Sequence, residues 1–90
     1  MTWPETKDAP SLANMAAALI QRGDFEGAER TAKRALEQSP EHPTALLNLA
    51  LSYEQRGRLA EARAAYAKGV LLHPDAAGLT AGLKRVGGGR

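Results

Sequence analysis

The sequence contains no cysteine, and its positive and negative charges nearly cancel. Without cysteine, its 90 residues hold neither a disulfide framework nor a thiolate metal site. Twelve basic and ten acidic residues give a net charge of +2, which is too small to indicate nucleic-acid binding. Two histidines without cysteines or spaced carboxylates are a poor metal site. We therefore expect no metal, no cofactor and no nucleic-acid partner, and we expect His42 and His73 to be solvated turn residues.

Long apolar runs are also absent. The longest strictly apolar run, Met15 to Ile20, is far shorter than the roughly 20 residues that cross a membrane. Residues 1–9 are mostly polar, with Trp3 and Pro4 among them, and lack the apolar segment of a secretion signal. We therefore expect a cytoplasmic protein without direct membrane insertion, in which residues 1–8 form an N-terminal tail.

Turn-forming residues divide the chain into five segments with helical periodicity. Gly23 and Gly57 interrupt the apolar pattern, and Pro40 and Pro74 follow the second and fourth segments. Apolar residues recur at three- and four-residue spacing within each segment, and no segment alternates as a strand does. The predicted helices are about 10–22, 25–38, 44–56, 59–72 and 76–86, and the predicted N-caps include Asp24 and Asp75.

Each predicted helix has one apolar face that we expect to point inward. The larger residues of the first hairpin's face include Leu12 and Met15, and the fourth helix contributes Leu59 and Tyr66. The second helix also alternates basic and acidic residues, which predicts a solvated face supported by ion pairs between residues four apart. These charged residues are Glu26, Glu29, Arg30, Lys33, Arg34 and Glu37.

The same pattern occurs twice along the chain, at the spacing of about 34 residues that is typical of one class of helical repeat protein. Residues 9–42 and 43–76 align with identities at Leu12/Leu46, Asn14/Asn48, Ala16/Ala50, Gln21/Gln55, Arg22/Arg56, Gly23/Gly57, Ala28/Ala62 and Pro40/Pro74. The alanines lie where two helices must approach closely. Because one such hairpin cannot bury its own apolar faces, we expect the two to stack.

This pattern resembles the tetratricopeptide repeat, whose signature is W-x2-L-G-x2-Y…A-x3-F…P within a unit of about 34 residues. The first repeat reads L-x2-M-A-x2-L…A-x3-A…P and the second L-x2-L-A-x2-Y…A-x3-Y…P. The resemblance implies an all-α fold, an α-α superhelix (solenoid) of two antiparallel helix hairpins plus a capping helix. The expected divisions are the tail 1–8, the first repeat 9–42, the second repeat 43–76, the capping helix 77–86 and a flexible tail 87–90.

The first repeat lacks two aromatic rings that the family usually carries, because Leu19 and Ala32 stand in their places. We expect Trp3 to pack against the first hairpin and to compensate for part of this loss. The alternative is that Trp3 lies on a loose tail.

The resemblance also implies a binding surface, because the first helix of each such hairpin lines a concave groove that receives a peptide or a partner helix. Asn14 and Asn48 are expected to hold a peptide backbone there, or alternatively to fix helix packing. Leu47 and Leu51 are expected either to form an apolar surface at the bottom of the groove or to be buried against the preceding hairpin. The expected partner-binding residues are Ala13, Asn14, Ala17, Gln21, Leu47, Asn48, Leu51 and Gln55.

We therefore expect a protein-protein interaction module, a scaffold or adaptor, and not an enzyme. The sequence shows no nucleophilic triad and no phosphate-binding loop. Of the residues with which related modules clamp acidic chaperone tails, only Asn48 matches, so chaperone binding is not expected. Two alternatives stay open. The first is a self-association module that forms a homodimer, since two repeats are fewer than the three or so of a stable array. The second is a repeat fragment of a larger multidomain protein.

Overall fold

The computed structural model describes residues 8–87, and these form five α-helices without a strand. The helices are α1 (Ala9–Gln21), α2 (Phe25–Gln38), α3 (Pro43–Gln55), α4 (Leu59–Leu72) and α5 (Ala77–Gly87). The helices α1, α3 and α5 begin at equivalent positions of the repeat, as do α2 and α4. The predicted all-α solenoid of two hairpins plus a fifth helix is confirmed. The expectation for Trp3 lies outside the described residues.

A glycine in the left-handed region reverses the chain inside each hairpin. Gly23 has a φ of 84° and Gly57 a φ of 80°, conformations that side chains with a Cβ rarely adopt. Asp24 then caps α2 as predicted, because its Oδ1 accepts a hydrogen bond from the Gly27 amide at 2.9 Å. The two hairpins therefore share the same turn geometry.

The start of α5 differs from the prediction. Asp75 was expected to be its N-cap, but α5 begins at Ala77, so Ala76 precedes it directly. The Ala76 amide donates to the His73 carbonyl at 3.0 Å, and the Ala76 carbonyl accepts from the Thr80 amide at 3.1 Å. The predicted N-cap is wrong because this turn leaves Asp75 one residue too early to cap the helix.

The order of helix contacts gives the array its curvature. Helix α3 packs against both α1 and α2, and α5 packs against both α3 and α4. In contrast, α2 and α4 make no contact with each other over their described lengths. The first helices of the hairpins thus lie side by side while the second helices spread apart. This arrangement places α1, α3 and α5 on the inner, concave side.

The core runs through both hairpins and continues under α5. The four alanines expected at close helix approaches, Ala16, Ala28, Ala50 and Ala62, are all fully buried. The larger of two clusters of buried residues, called the core cluster below, consists of Ala16, Ala28, Ala32, Leu46, Leu49, Ala50, Tyr53, Ala62, Ala65, Tyr66 and Leu79.

Two residues expected in the core are instead half exposed. Met15 is 51% exposed, although Leu49, one repeat later, belongs to the core. Leu49 is buried because α3 packs on the preceding hairpin, whereas no hairpin precedes α1 in the described residues. Leu59 is 50% exposed because it is the first residue of α4, and helical side chains point toward the N-terminal end. The inward predictions for Met15 and Leu59 are therefore wrong.

The close approach of α5 to α4 depends on Gly82, and we predict that Gly82→Ala destabilises the protein by about 1–3 kcal/mol. A Cβ at this position would overlap three ring atoms of Tyr66, whose side chain is fully buried and cannot move aside. This overlap outweighs the roughly 1 kcal/mol that alanine gains over glycine in helix propensity. Urea unfolding followed by circular dichroism measures the difference.

The matched control is Gly78→Ala in the same helix. A Cβ at Gly78 would meet only the Leu47 side chain, with the nearest atom at 3.3 Å. We expect this variant to be as stable as the parent or slightly more stable. Equal stability of the two variants would contradict the close packing of α5.

Candidate functional site

The expected groove residues divide into buried and accessible ones. Ala13 and Asn48 are buried, Ala17, Leu47 and Leu51 are half-buried, and Asn14, Gln21 and Gln55 are exposed. We use the name groove row for five of the accessible and half-buried residues on α1 and α3, without the exposed Asn14, which lies one turn before Ala17. The groove row consists of Ala17, Gln21, Leu47, Leu51 and Gln55.

Asn48 fixes the packing of α3 on α1. Its side chain is only 4% exposed, and its Nδ2 donates a hydrogen bond to the Ala13 carbonyl at 2.9 Å. Ala13 lies fully buried beneath it. A buried backbone carbonyl that gains an amide donor stabilises the contact between two helices. Asn48 thus corresponds to the alternative in which the amide fixes helix packing. Because Asn48 and Ala13 are both buried, neither side chain is available to a groove ligand.

Asn14 occupies the same repeat position as Asn48 but has a different environment. It is exposed because α1 has no described hairpin in front of it. The two asparagines therefore do not form a matched pair of amides in the groove. The sequence identity between them reflects the repeat, whereas their accessibility depends on what precedes each helix.

Leu47 and Leu51 lie between the two expected alternatives. Both are half-buried and pack against the edge of the core cluster. The Leu47 side chain also approaches α5, since a Cβ on Gly78 would lie 3.3 Å from its Cδ2. These two leucines thus provide an apolar surface that is partly accessible. The exposed amides of Gln21 and Gln55 follow it at the ends of α1 and α3.

An ion-pair cluster at the α5 end of the groove was missed by the sequence reasoning. The Arg85 Nε donates to Glu54 Oε2 at 2.6 Å, and its Nη2 donates to Glu54 Oε1 at 2.8 Å. The Tyr66 hydroxyl donates to the same carboxylate at 2.7 Å. This cluster connects α3, α4 and α5. Arg85 occupies the repeat position of Leu51, so the repeat register alone could have placed it beside the groove row.

The cluster keeps its members in fixed charge states. Hydrogen bonding from Arg85 lowers the pKa of Glu54, even though burial opposes this shift. Burial, together with the hydrogen bond to Glu54, raises the pKa of Tyr66. Tyr66 therefore remains a neutral donor and Glu54 an ionised acceptor. The Arg85 side chain is 52% exposed and keeps its positive charge at the rim of the groove.

A second cluster joins the two hairpins through Glu29. The sequence predicted a solvated ion pair with Lys33, and the Lys33 Nζ does lie 3.0 Å from Glu29 Oε2. However, Glu29 is only 8% exposed and also binds the Arg56 guanidinium at the end of α3. Burial acts to raise the pKa of Glu29, but Lys33 and Arg56 outweigh it and lower the pKa below its usual value. The expected solvated face is corrected at Glu29, because tertiary contact with α3 covers it.

Both histidines have structural partners, which the expectation of solvated turns did not foresee. His42 caps α3, because its Nδ1 accepts from the Ala45 amide at 3.3 Å. The His73 Nε2 hydrogen-bonds the Glu41 carbonyl and so connects the loops that follow the two hairpins. Within residues 8–87, no group of three or more acidic or histidine side chains is placed to bind a metal. None of the helices in this range has the length and apolar character needed to cross a bilayer.

The contrast between the two asparagines predicts different effects on stability. Asn48→Ala removes the donor to a buried carbonyl, and we expect it to destabilise the protein by about 1–3 kcal/mol. Asn14→Ala changes an exposed residue, and we expect an effect within about 0.5 kcal/mol. Urea unfolding of both variants makes the comparison. An equal loss in the two variants would contradict the packing role of Asn48.

Comparison with known proteins agrees with this geometry. A tetratricopeptide-repeat family model matches residues 14–78. The Photosystem I assembly protein Ycf3 of Prochlorococcus marinus strain NATL1A is 47% identical over 51 residues, which cover 57% of this chain and 30% of that protein. The protein of the same name from Synechococcus sp. strain CC9605 is 41% identical over 56 residues, covering 62% and 32%.

The matched region thus spans about a third of the length of these relatives. The family model, in contrast, covers well over half of the chain and includes most of both hairpins. The chain therefore belongs to the tetratricopeptide-repeat family.

Proposed function

We propose that this protein is a non-catalytic interaction module that binds an extended segment or a helix of a partner protein in its concave groove. The observation that carries the proposal is the groove row, an accessible surface of mixed apolar and amide character on the inner side of the array. Leu47 and Leu51 provide the apolar contact, and Gln21 and Gln55 provide donors and acceptors at its edge. Such a combination suits a peptide that carries both side chains and an unpaired backbone.

The positive charge of Arg85 at the α5 end of the groove indicates which chemical group the bound segment carries there. Arg85 lies one repeat beyond Leu51 and remains half exposed while paired with Glu54. Its Nε and Nη2 are used in that pairing, and the guanidinium offers further donors through Nη1. A partner segment with apolar residues against α3 and an acceptor group near α5 therefore matches the groove.

The relatives support a role in assembly. The proteins named Photosystem I assembly protein Ycf3 share the repeat region with this chain. We propose that this chain acts in the same general manner, by holding a segment of a partner during the assembly of a complex in the cytoplasm. Support for a non-catalytic role comes from the repeat family and from the assembly function in the relatives' name.

The test begins with a displayed library of random peptides, each about as long as the groove, selected on the immobilised chain. Selected peptides are titrated into isotope-labelled protein, and we expect amide shifts at the groove row. In the variant with Gln21→Lys and Gln55→Lys, the longer charged side chains obstruct the groove edge. We expect affinity to fall at least fivefold, which corresponds to about 1 kcal/mol.

The control is Gln38→Lys, because Gln38 is also an exposed glutamine at the last position of a helix, but on α2. We expect this variant to bind the same peptides with unchanged affinity. Shifts confined to α2 and α4, or equal losses in the control, would contradict groove binding.

A further inference from the structure

Where α3 docks on the first hairpin, four residues of α3 and of the turn after it lie on one face and are buried or paired. The Asn48 amide reaches the Ala13 carbonyl, and Leu49 belongs to the core cluster. Ser52 is fully buried, and Arg56 pairs with Glu29 on α2. The second repeat therefore needs three features on the hairpin in front of it. These are an accessible backbone carbonyl, an apolar surface and a carboxylate.

Helix α1 and the turn after it carry a closely similar set one repeat earlier. We call these four residues the upstream face: Asn14, Met15, Ala18 and Arg22. Asn14 and Arg22 are identical to Asn48 and Arg56 of the second repeat, and Met15 is a large apolar residue like Leu49. All four residues are exposed, whereas the first three counterparts in α3 are buried. Within residues 8–87, the first repeat therefore presents the docking residues of the second on an exposed surface.

We propose that the upstream face docks a helical hairpin of a tetratricopeptide-type partner protein whose second helix carries a carboxylate at the place of Glu29. The partner's first helix offers a backbone carbonyl to Asn14, as Ala13 does to Asn48. Its apolar surface covers Met15, which is 51% exposed without it. Its carboxylate pairs with Arg22 as Glu29 pairs with Arg56. This face adjoins the groove row on α1 but shares no residue with it, so the inference does not depend on the proposed groove ligand.

A second copy of this chain does not offer the required surface. Its first hairpin is already covered by α3, and its second hairpin is covered by α5. In addition, the residue at the place of Glu29 in the second repeat is Arg63, which is exposed. Stacking on that hairpin would bring Arg22 against another cation, and like charges at short distance repel. Charge complementarity thus favours a different hairpin, one with an acid at this position.

The test supplies such a hairpin at the natural spacing, as a second copy of residues 9–42 inserted between Asp8 and Ala9 of the full chain. Because the inserted hairpin is covalently linked, its docking does not have to overcome the entropic cost of bringing two molecules together. The thermal unfolding transition therefore reports whether the hairpin docks. We expect a single unfolding transition and a melting temperature raised by more than about 5 °C. An unchanged melting temperature with an unfolded insert would overturn the proposal.

Charge variants in the inserted copy test the role of the carboxylate. Glu29→Arg in the inserted copy is expected to remove most of the gain, and Arg22→Glu in the original hairpin is expected to restore it. Glu37→Arg in the inserted copy is the matched control at an exposed position of the same helix and is expected to keep the gain. Equal losses for Glu29→Arg and Glu37→Arg would overturn the requirement for a carboxylate.

Two further measurements on the unmodified chain examine other occupants of the upstream face. We expect sedimentation equilibrium to show a monomer, and we expect deletion of residues 1–7 to leave the Met15 methyl resonance unchanged. A dimer that Arg22→Glu dissociates would assign the face to a second copy. A shifted resonance with a lower melting temperature would assign it to the chain's own N-terminal segment. Either result would overturn the proposal.

Discussion

The structure depends on the docking of α3 against the first hairpin. An isolated hairpin of this kind buries one face only, so its stability comes largely from the unit stacked on it. Leu49 and Tyr53 supply the apolar part of this contact. Asn48 and the Glu29–Arg56 pair then fix its register, because each polar group must meet a partner before it can be buried at low cost.

The concave surface follows from the same contact. Because α3 lies against α1 while α2 and α4 remain apart, the array curves and its first helices form the inner side. Helix α5 continues the inner row at the same spacing, held closely by Gly82 over the Tyr66 ring and by the Arg85–Glu54 pair. The groove row therefore has packed helices behind it, which reduces the ordering that binding a partner requires.

The sequence predicts the helices and their register well, because glycine, proline and apolar spacing act locally. It predicts burial poorly wherever burial depends on a neighbour. Met15 and Leu49 share one repeat position, yet only Leu49 has a hairpin in front of it. The sequence predicts for Glu29 a surface ion pair within its own helix, because the pairing with Arg56 at the end of α3 appears only once the hairpins are packed together. Likewise, nothing local indicates that Glu54 meets Arg85, since they lie on different helices far apart in the chain.

The central claim is that the two hairpins form one cooperative unit through the α3 contact. Native-state hydrogen exchange in low concentrations of urea tests it most directly, because it reports the opening free energy of each helix separately. We predict that Ala32 in α2, Ala50 in α3 and Ala65 in α4 open with one common free energy. We also predict that Arg56→Met lowers all three together. A first hairpin that opens independently, at a free energy unaffected by Arg56→Met, would contradict this claim.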